Sequence, residues 1–275
     1  MQKITLVGAG GKMGMRLAHN LRKSSYETRY LEVSPAGIAR LADAGLTVSQ
    51  PQETIKDAGA VIFAVPDVAL AQVTSEYIPQ MRSGAIALML DPAAPLAGKI
   101  HQRQDVSYFV AHPAHPSIFY WGTTPEEQKD HFGGVAAKQA IVCSLMQGDE
   151  SHYAIGEQLA STFYAPVCKA HRITVEQMGL LEPALVETLS STCIYVIRQG
   201  LDEIIKRGVP ADAARDFLLG HLRIQLAVLF DEIPGAVFSD AANKALQRGL
   251  KEFIKDDWRK VFEPANVKDQ IDSIT

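Results

Sequence analysis

Seven residues near the amino terminus, Gly8-Ala9-Gly10-Gly11-Lys12-Met13-Gly14, constrain the fold of this 275-residue chain more than any other stretch. The apolar run Lys3-Ile4-Thr5-Leu6-Val7 precedes them and reads as a short buried strand. Residues 15–23 follow, with apolar side chains at helical spacing. A strand, a glycine turn and a helix in one βαβ unit is the context in which such a loop binds a dinucleotide. Gly8 permits the tight turn, Gly10 or Gly11 lets a pyrophosphate approach the backbone, and Gly14 lets the helix pack closely on the strand. The phosphates then rest on unpaired N–H groups at the helix start, beside Lys12 and Met13. The spacing is GxxGxxG or GxGxxxG, because the third glycine of the strict GxGxxG pattern would fall on Met13. Taken alone, the loop could equally be an unliganded turn.

A second strand at residues 28–33 settles the choice. It carries Glu32, 24 residues after Gly8. An acid there hydrogen-bonds the adenosine ribose hydroxyls and repels a 2′-phosphate, which favours NAD over NADP. Further strands are expected at 59–66, 85–90, 106–110 and 139–145, with helices at 35–44 and 68–81. A helix at 153–164 and a strand at 167–173 finish the sheet. This alternation implies an α/β Rossmann domain with a parallel sheet over residues 1–172. Ligands in such sheets bind beyond the carboxyl ends of the strands. Val65-Pro66-Asp67 and Asp91-Pro92-Ala93-Ala94-Pro95 therefore line the nicotinamide side, unless their prolines simply end strands.

From residue 173 to 275 the pattern is helical. A run from Val175 to about Lys206 should be bent at Pro183, which lacks an N–H and crowds the preceding turn. Helices at 211–230 and from Ser239-Asp240 follow. The long helix is apolar over more than one stripe (Leu180, Leu185, Leu189, Ile194, Val196, Ile197, Leu201, Ile204, Ile205) and must be covered. A helical domain that dimerises and helps bind substrate is expected, giving a homodimer.

Hydrophobic residues make up 47% of the chain and charged residues 21%, at a net charge of −4. This balance gives no footprint for nucleic acid or an anionic membrane as partner. No apolar stretch of about 18 residues is free of charges, so no bilayer span is expected. Cys143, Cys168 and Cys193 lie far apart with no CxxC pair, which fits a reducing cytoplasm.

Two sites stand out for chemistry. Ala111-His112-Pro113-Ala114-His115-Pro116 follows a strand directly, and the prolines stiffen the segment that carries both histidines. A neutral imidazole there can ligate a divalent metal or move a proton; alternatively, both rings only satisfy loop carbonyls. Glu182, in Gly179-Leu180-Leu181-Glu182-Pro183, lies among apolar residues, where a carboxylate needs a partner. A metal, a substrate hydroxyl or a salt bridge would serve. Glu176 and Glu187 share the helix, but in α geometry Glu187 points about 140° away from Glu182. His221 lies on an apolar helix and reads as a packed residue.

The glycine loop, the acid at Glu32, Ala64-Val65-Pro66-Asp67 and the long helix after the sheet resemble the 6-phosphogluconate dehydrogenase-like superfamily. That group includes β-hydroxyacid dehydrogenases, prephenate dehydrogenases and ketol-acid reductoisomerases. Residues 111–117 and 179–190 are similar to a branch of NAD enzymes that act on branched sugar acids. This resemblance implies oxidation of a 2-hydroxy acid to a 2-keto acid. A metal-assisted shift of the neighbouring hydroxymethyl group would follow, like ketol-acid reductoisomerase run backwards. It also implies a divalent metal (zinc, magnesium or manganese) on His112 and Glu182, with His115 catalytic or supporting. The chain departs from the β-hydroxyacid dehydrogenases at Val175-Glu176-Gln177-Met178-Gly179, where their catalytic lysine has no counterpart. A metal can stabilise an alkoxide without that lysine. The rival expectations are a plain NAD hydroxyacid dehydrogenase without metal or rearrangement, and a non-catalytic NAD-binding redox sensor.

Overall fold

The computed structural model describes residues 3–275, so the first two residues lie outside it. All the expected strands form, as β1 (Lys3–Val7), β2 (Glu27–Leu31), β3 (Ala60–Phe63), β4 (Ile86–Met89), β5 (Ser107–Pro113), β6 (Gln139–Gln147) and β7 (Val167–Arg172). They make one sheet in the order β2-β1-β3-β4-β5-β6-β7. Strand periodicity sorts the core into two layers. On one face Ile4, Leu6, Ala60, Ile62, Ile86, Leu88, Phe109 and Ala111 pack with Leu17 and Leu21 of α1 (Lys12–Leu21). Leu41 of α2 (Pro35–Asp43), Leu159 and Phe163 of α7 (Ser151–Phe163) join the same layer. On the other face Val7, Val61, Phe63, Ala87, Met89, Tyr108 and Val110 meet Leu70 and Tyr77 of α4 (Asp67–Tyr77). Ala94 of α5 (Ala93–Leu96) lies there too, as do Val175 and Met178 of α8 (Val175–Gly179). A sheet covered on both faces explains why its inner strands β3, β4 and β5 are apolar runs rather than alternating ones. The short α3 (Pro51–Thr54) links β2 to β3.

The sheet differs from expectation at one junction. β5 and β6 pair antiparallel, with His112 opposite Val142, whereas β6 and β7 are parallel again. A parallel return needs a crossover long enough to traverse the sheet. Residues 114–138 are long enough for such a crossover but carry only the five-residue α6 (Pro125–Lys129), and the chain re-enters at the end it left.

Asp130 holds that segment. One carboxylate oxygen accepts Arg16 Nη2 of α1 at 2.8 Å. The other accepts the N–H groups of Val135, Ala136 and Ala137 at 3.0, 2.8 and 3.1 Å. Asn20 of α1 adds hydrogen bonds from its amide to the carbonyls of Gly134, Phe163 and Ala165.

The chain divides into two compact units, one running to Glu182 and including Lys268–Thr275, the other Pro183–Val267. The boundary falls later than residue 172 because Val175 and Met178 are part of the sheet's core. The C-terminal segment adds a hydrogen bond from Lys99 Nζ to Thr275 Oγ1 at 3.0 Å. The second unit holds α9 (Ser191–Lys206), α10 (Ala211–Leu229) and α11 (Asp240–Phe253), the last capped by Ser239 as expected. α12 (Pro264–Ile274) ends the chain.

The proline in the long helix acts differently from the expected bend. Leu180–Ser190 is a π-helix with Pro183 inside it, between α8 and α9. The wider turn relieves the proline ring's clash with the carbonyl four residues back. Val175–Lys206 is long and apolar enough, by length and composition alone, to cross a membrane. Glu182, Glu187 and Arg198 interrupt it.

Burial raises the Asp130 carboxyl pKa, but the three backbone N–H groups and Arg16 outweigh burial and hold it below the ordinary range. Its stabilisation is therefore present above the unfolded carboxyl pKa of about 4 and is lost as pH falls through the folded value. Asp130→Asn should cost about 2–4 kcal/mol at neutral pH. Urea unfolding at pH 7 and pH 3 checks this; a deficit that does not shrink at pH 3 would contradict the assignment.

Candidate active site

The glycine loop is built as the sequence requires. Gly8 has φ +75°, and a Cβ there would lie 2.5 Å from the Ala64 carbonyl oxygen and 2.8 Å from Val65 Cγ1. A Cβ on Gly14 would fall 2.1 Å from the Gly8 carbonyl oxygen, so α1 can start here only with glycine. Gly10 and Gly11, the two candidates for close approach of a pyrophosphate, have different surroundings. A Cβ on Gly10 would strike the backbone of Gly37 at 2.4–2.5 Å, so its missing side chain lets α2 lie against the loop. A Cβ on Gly11, the N-cap of α1, would meet the Gly8 and Ala64 carbonyl oxygens at 3.3 and 3.9 Å, without the severe clashes found at Gly8, Gly10 and Gly14. Lys12 is exposed at the first position of α1, and Met13 is half-buried against the core. Val65 is half-buried beside Gly8, and Pro66 caps α4.

Glu32 stands just past the end of β2, where expected, and its carboxylate is engaged by the backbone. Oε2 accepts the Gly10 N–H at 2.8 Å; Oε1 accepts those of Val33 and Ser34 at 2.9 Å. Arg40 Nε donates to the Gly10 carbonyl at 2.7 Å, so the peptide units on both sides of Gly10 are held.

His112 and Glu182, 70 positions apart in sequence, meet with Nε2 and Oε2 2.6 Å apart. His112 is the sixth residue of β5, not a loop residue, so a strand sets its position. Its Nδ1 lies 2.7 Å from the Leu90 carbonyl oxygen, and the Asp91 carboxylate lies 3.8 Å from the same nitrogen. Sequence reasoning puts Asp91 only in the nicotinamide-side wall. In the structure Asp91, His112 and Glu182 each offer a ligand atom within 4.8 Å of the others. The signal was available, since Asp91 follows β4 and His112 lies near the carboxyl end of the neighbouring parallel β5. Asp91 is oriented by the Ala93 N–H, which donates to Oδ1 at 2.8 Å.

Burial pulls the His112 pKa down, but the hydrogen bond to Glu182 and the charges of Glu182 and Asp91 override it and raise it. Burial raises Asp91, with the Ala93 N–H and His112 opposing. Both imidazole nitrogens face acceptors, so a ring proton stands between Nε2 and Glu182. One imidazole nitrogen and two carboxylates around that position form a donor set that suits zinc, manganese or magnesium. Behind it, the fully buried Tyr164 donates its hydroxyl to the Ala111 carbonyl at 3.1 Å; burial keeps this phenol protonated.

His115 is not part of this group. Its Nδ1 is 2.8 Å from the Phe132 carbonyl oxygen, and its ring packs edge-on against Phe132. It has φ +59° directly before Pro116. Left-handed backbone is uncommon for a residue with a side chain, and such strain gathers at functional sites. His221 Nδ1 lies 2.7 Å from the Phe217 carbonyl one turn back, and its ring stacks on that of Phe217.

Comparison with known proteins fits this geometry. Residues 3–96 match the NAD binding domain of 6-phosphogluconate dehydrogenase, and residues 120–275 match the C-terminal domain of decarboxylating phosphogluconate dehydrogenase. The chain is 50% identical to D-apionate oxidoisomerase of Rhizobium rhizogenes, over all of both chains. It superposes on a semialdehyde dehydrogenase NAD-binding protein from Cupriavidus necator, solved with calcium and NAD, with a TM-score of 0.98 at 49% identity over all of both chains. An NADH-preferring ketol-acid reductoisomerase from an uncultured archaeon shares the fold, with a TM-score of 0.72 at 15% identity over 99% of this chain and 83% of its own. With an NAD-binding half that carries its glycine loop and acid, and full-length identity of this order, the chain belongs to the D-apionate oxidoisomerase family of NAD-dependent oxidoreductases.

Proposed function

We propose that the protein oxidises D-apionate with NAD and isomerises the product to 3-oxo-isoapionate, using a divalent cation held by His112, Glu182 and Asp91. The observation that carries this reading is the meeting of His112 and Glu182 beside Asp91 at the carboxyl end of the sheet. The calcium and NAD in the Cupriavidus necator protein support it. In the first step C2 of the acid gives a hydride to the nicotinamide and its hydroxyl loses a proton. In the second, a hydroxymethyl group moves with its bonding pair from C3 to C2. The C3 hydroxyl loses its proton and becomes the ketone, while the former C2 carbonyl oxygen gains one. A divalent cation at the site supplies Lewis acidity to the substrate oxygens.

The chain's own residues prepare the site. The Leu90 carbonyl fixes the His112 tautomer by accepting from Nδ1, which leaves Nε2 to face the substrate side. The Ala93 N–H holds Asp91 in place, and Glu32 with Arg40 holds the two peptides flanking Gly10 on the cofactor side. His115, with Nδ1 committed to the Phe132 carbonyl, keeps Nε2 for proton transfer or for supporting the site.

The active form is a cytoplasmic homodimer joined through the helical units. Of Pro183–Val267, only Pro183, Ala184, Ala214 and Val267 are buried. Ile194, Tyr195, Phe217, Leu229 and Phe253 are each more than half exposed. A helical unit without a core needs apolar cover, and a second copy of the same helices supplies it at the usual interface size of about 1,600 Å².

With D-apionate and NAD, absorbance at 340 nm should rise only when divalent metal is present, and a chelator should abolish it. Chelator-insensitive turnover would mark a plain dehydrogenase instead. Glu182→Gln should lower turnover by roughly 100-fold or more while NADH affinity stays within about twofold of the parent; loss of NADH binding would count against the metal role. Light scattering at micromolar concentration should give twice the 30.0 kDa chain mass, and a monomer there would refute the dimer.

A further inference from the structure

The π-helical stretch Leu180–Ser190 is much longer than the single-turn π-bulge usual inside α-helices, and such departures gather at functional sites. Its first turns carry Glu182 and Pro183. The burial pattern records the change of pitch. Val175, Met178 and Gly179 are buried, and the next buried pair is Pro183 and Ala184. Each step, from Met178 to Pro183 and from Gly179 to Ala184, is five residues, the period of i→i+5 bonding. In an α-helix the residue stacked over Met178 would be Glu182, four positions on. Met178 is fixed in the sheet's core at 1% exposure, so that register would drive the Glu182 carboxylate toward an apolar layer. In the π register Pro183 takes the buried place instead. Glu182 is left at the edge of that face, 22% exposed, with Oε2 on His112 Nε2.

Pro183 gives this register its cause. It has no N–H for the α bond to Gly179, and its ring crowds the Gly179 carbonyl in α geometry. At the far end Ser191 Oγ donates to the Val186 carbonyl, five residues back, at 3.0 Å. We propose that Pro183 is a positioning residue: it holds the helix in π register, and that register sets the Glu182 carboxylate against His112. The consequence for metal binding rests on the reading given under Proposed function. The positioning itself is a property of the metal-free chain.

Pro183→Ala is the test, since alanine restores the N–H and is the best helix former. Two quantities are read. In metal-free protein, histidine-labelled NMR spectra report the His112–Glu182 hydrogen bond, with Glu182→Gln marking the signal of its loss. In the same samples, Mn²⁺ titration followed by EPR reports cation affinity. The expected result for Pro183→Ala is loss of the His112 signature, Mn²⁺ affinity at least tenfold weaker, NADH affinity unchanged and an undiminished melting temperature. A His112 signature retained in Pro183→Ala overturns the positioning role, whatever happens to Mn²⁺. Failure of the parent protein to bind Mn²⁺ overturns the metal reading alone, and the metal-free spectra still decide the role of Pro183. If the alanine chain does not fold, Pro183→Gly restores the same N–H and is read by the same two signals.

Discussion

The closeness of α1 to the turn before it governs much of this molecule. The Gly8 carbonyl oxygen occupies space that any side chain on Gly14 would need. That approach fixes the axis of α1 over the sheet, and α1 in turn carries Arg16 and Asn20 to the segment that closes the far side of the sheet. A single steric limit in the first turn thus reaches both the cofactor loop and the ordering of residues 130–137. Burial of Leu17, Ala18 and Leu21 supplies the cohesion, at roughly 25 cal/mol for each Å² of apolar surface removed from water. The glycines decide where that cohesion can act.

The active site obeys the same division between what holds and what reacts. Each of two charged groups in it is oriented by backbone: Asp91 by the Ala93 N–H, His112 by the Leu90 carbonyl. Backbone partners on sheet ends move little, so the carboxylates and the imidazole converge without a flexible loop between them. Desolvation would neutralise an isolated imidazole here, and for His112 the attraction of Glu182 and Asp91 overrides it.

Much of this was legible in residue order, and the exceptions have physical causes. Apolar runs between turns located the inner strands β3, β4 and β5, because a sheet buried on both faces leaves little room for polar residues there. The same runs carry no direction, so the antiparallel entry of β6 could not be read from them; only the shortness of helical pattern between residues 114 and 138 hinted at it. His112 and Glu182 stood out because each sits beside proline in unusual company. Asp91 did not, since an acid before proline at a strand end is also a common way to stop a strand. Gly10 and Gly11 could not be told apart in the letters because close approach of a neighbouring helix and close approach of a phosphate ask for the same residue. The π-helix was hidden because the five-residue steps at Met178–Pro183 and Gly179–Ala184 are steps in burial, and the neighbouring Leu180, Leu181 and Leu185 are as apolar in the letters but exposed.

The antiparallel junction between β5 and β6 has a bearing on how such a protein diversifies. Because the chain leaves and re-enters the sheet at one end, the residues between Pro116 and Thr124 neither cross the core nor set the order of the strands. Their number can change without displacing a layer, since Asp130 anchors the next stretch of chain, residues 135–137. Lineages built on this plan can therefore exchange the wall beyond His115 by insertion or deletion and keep the cofactor half intact. The fold in effect separates the cofactor half from a stretch of chain whose length the sheet does not fix.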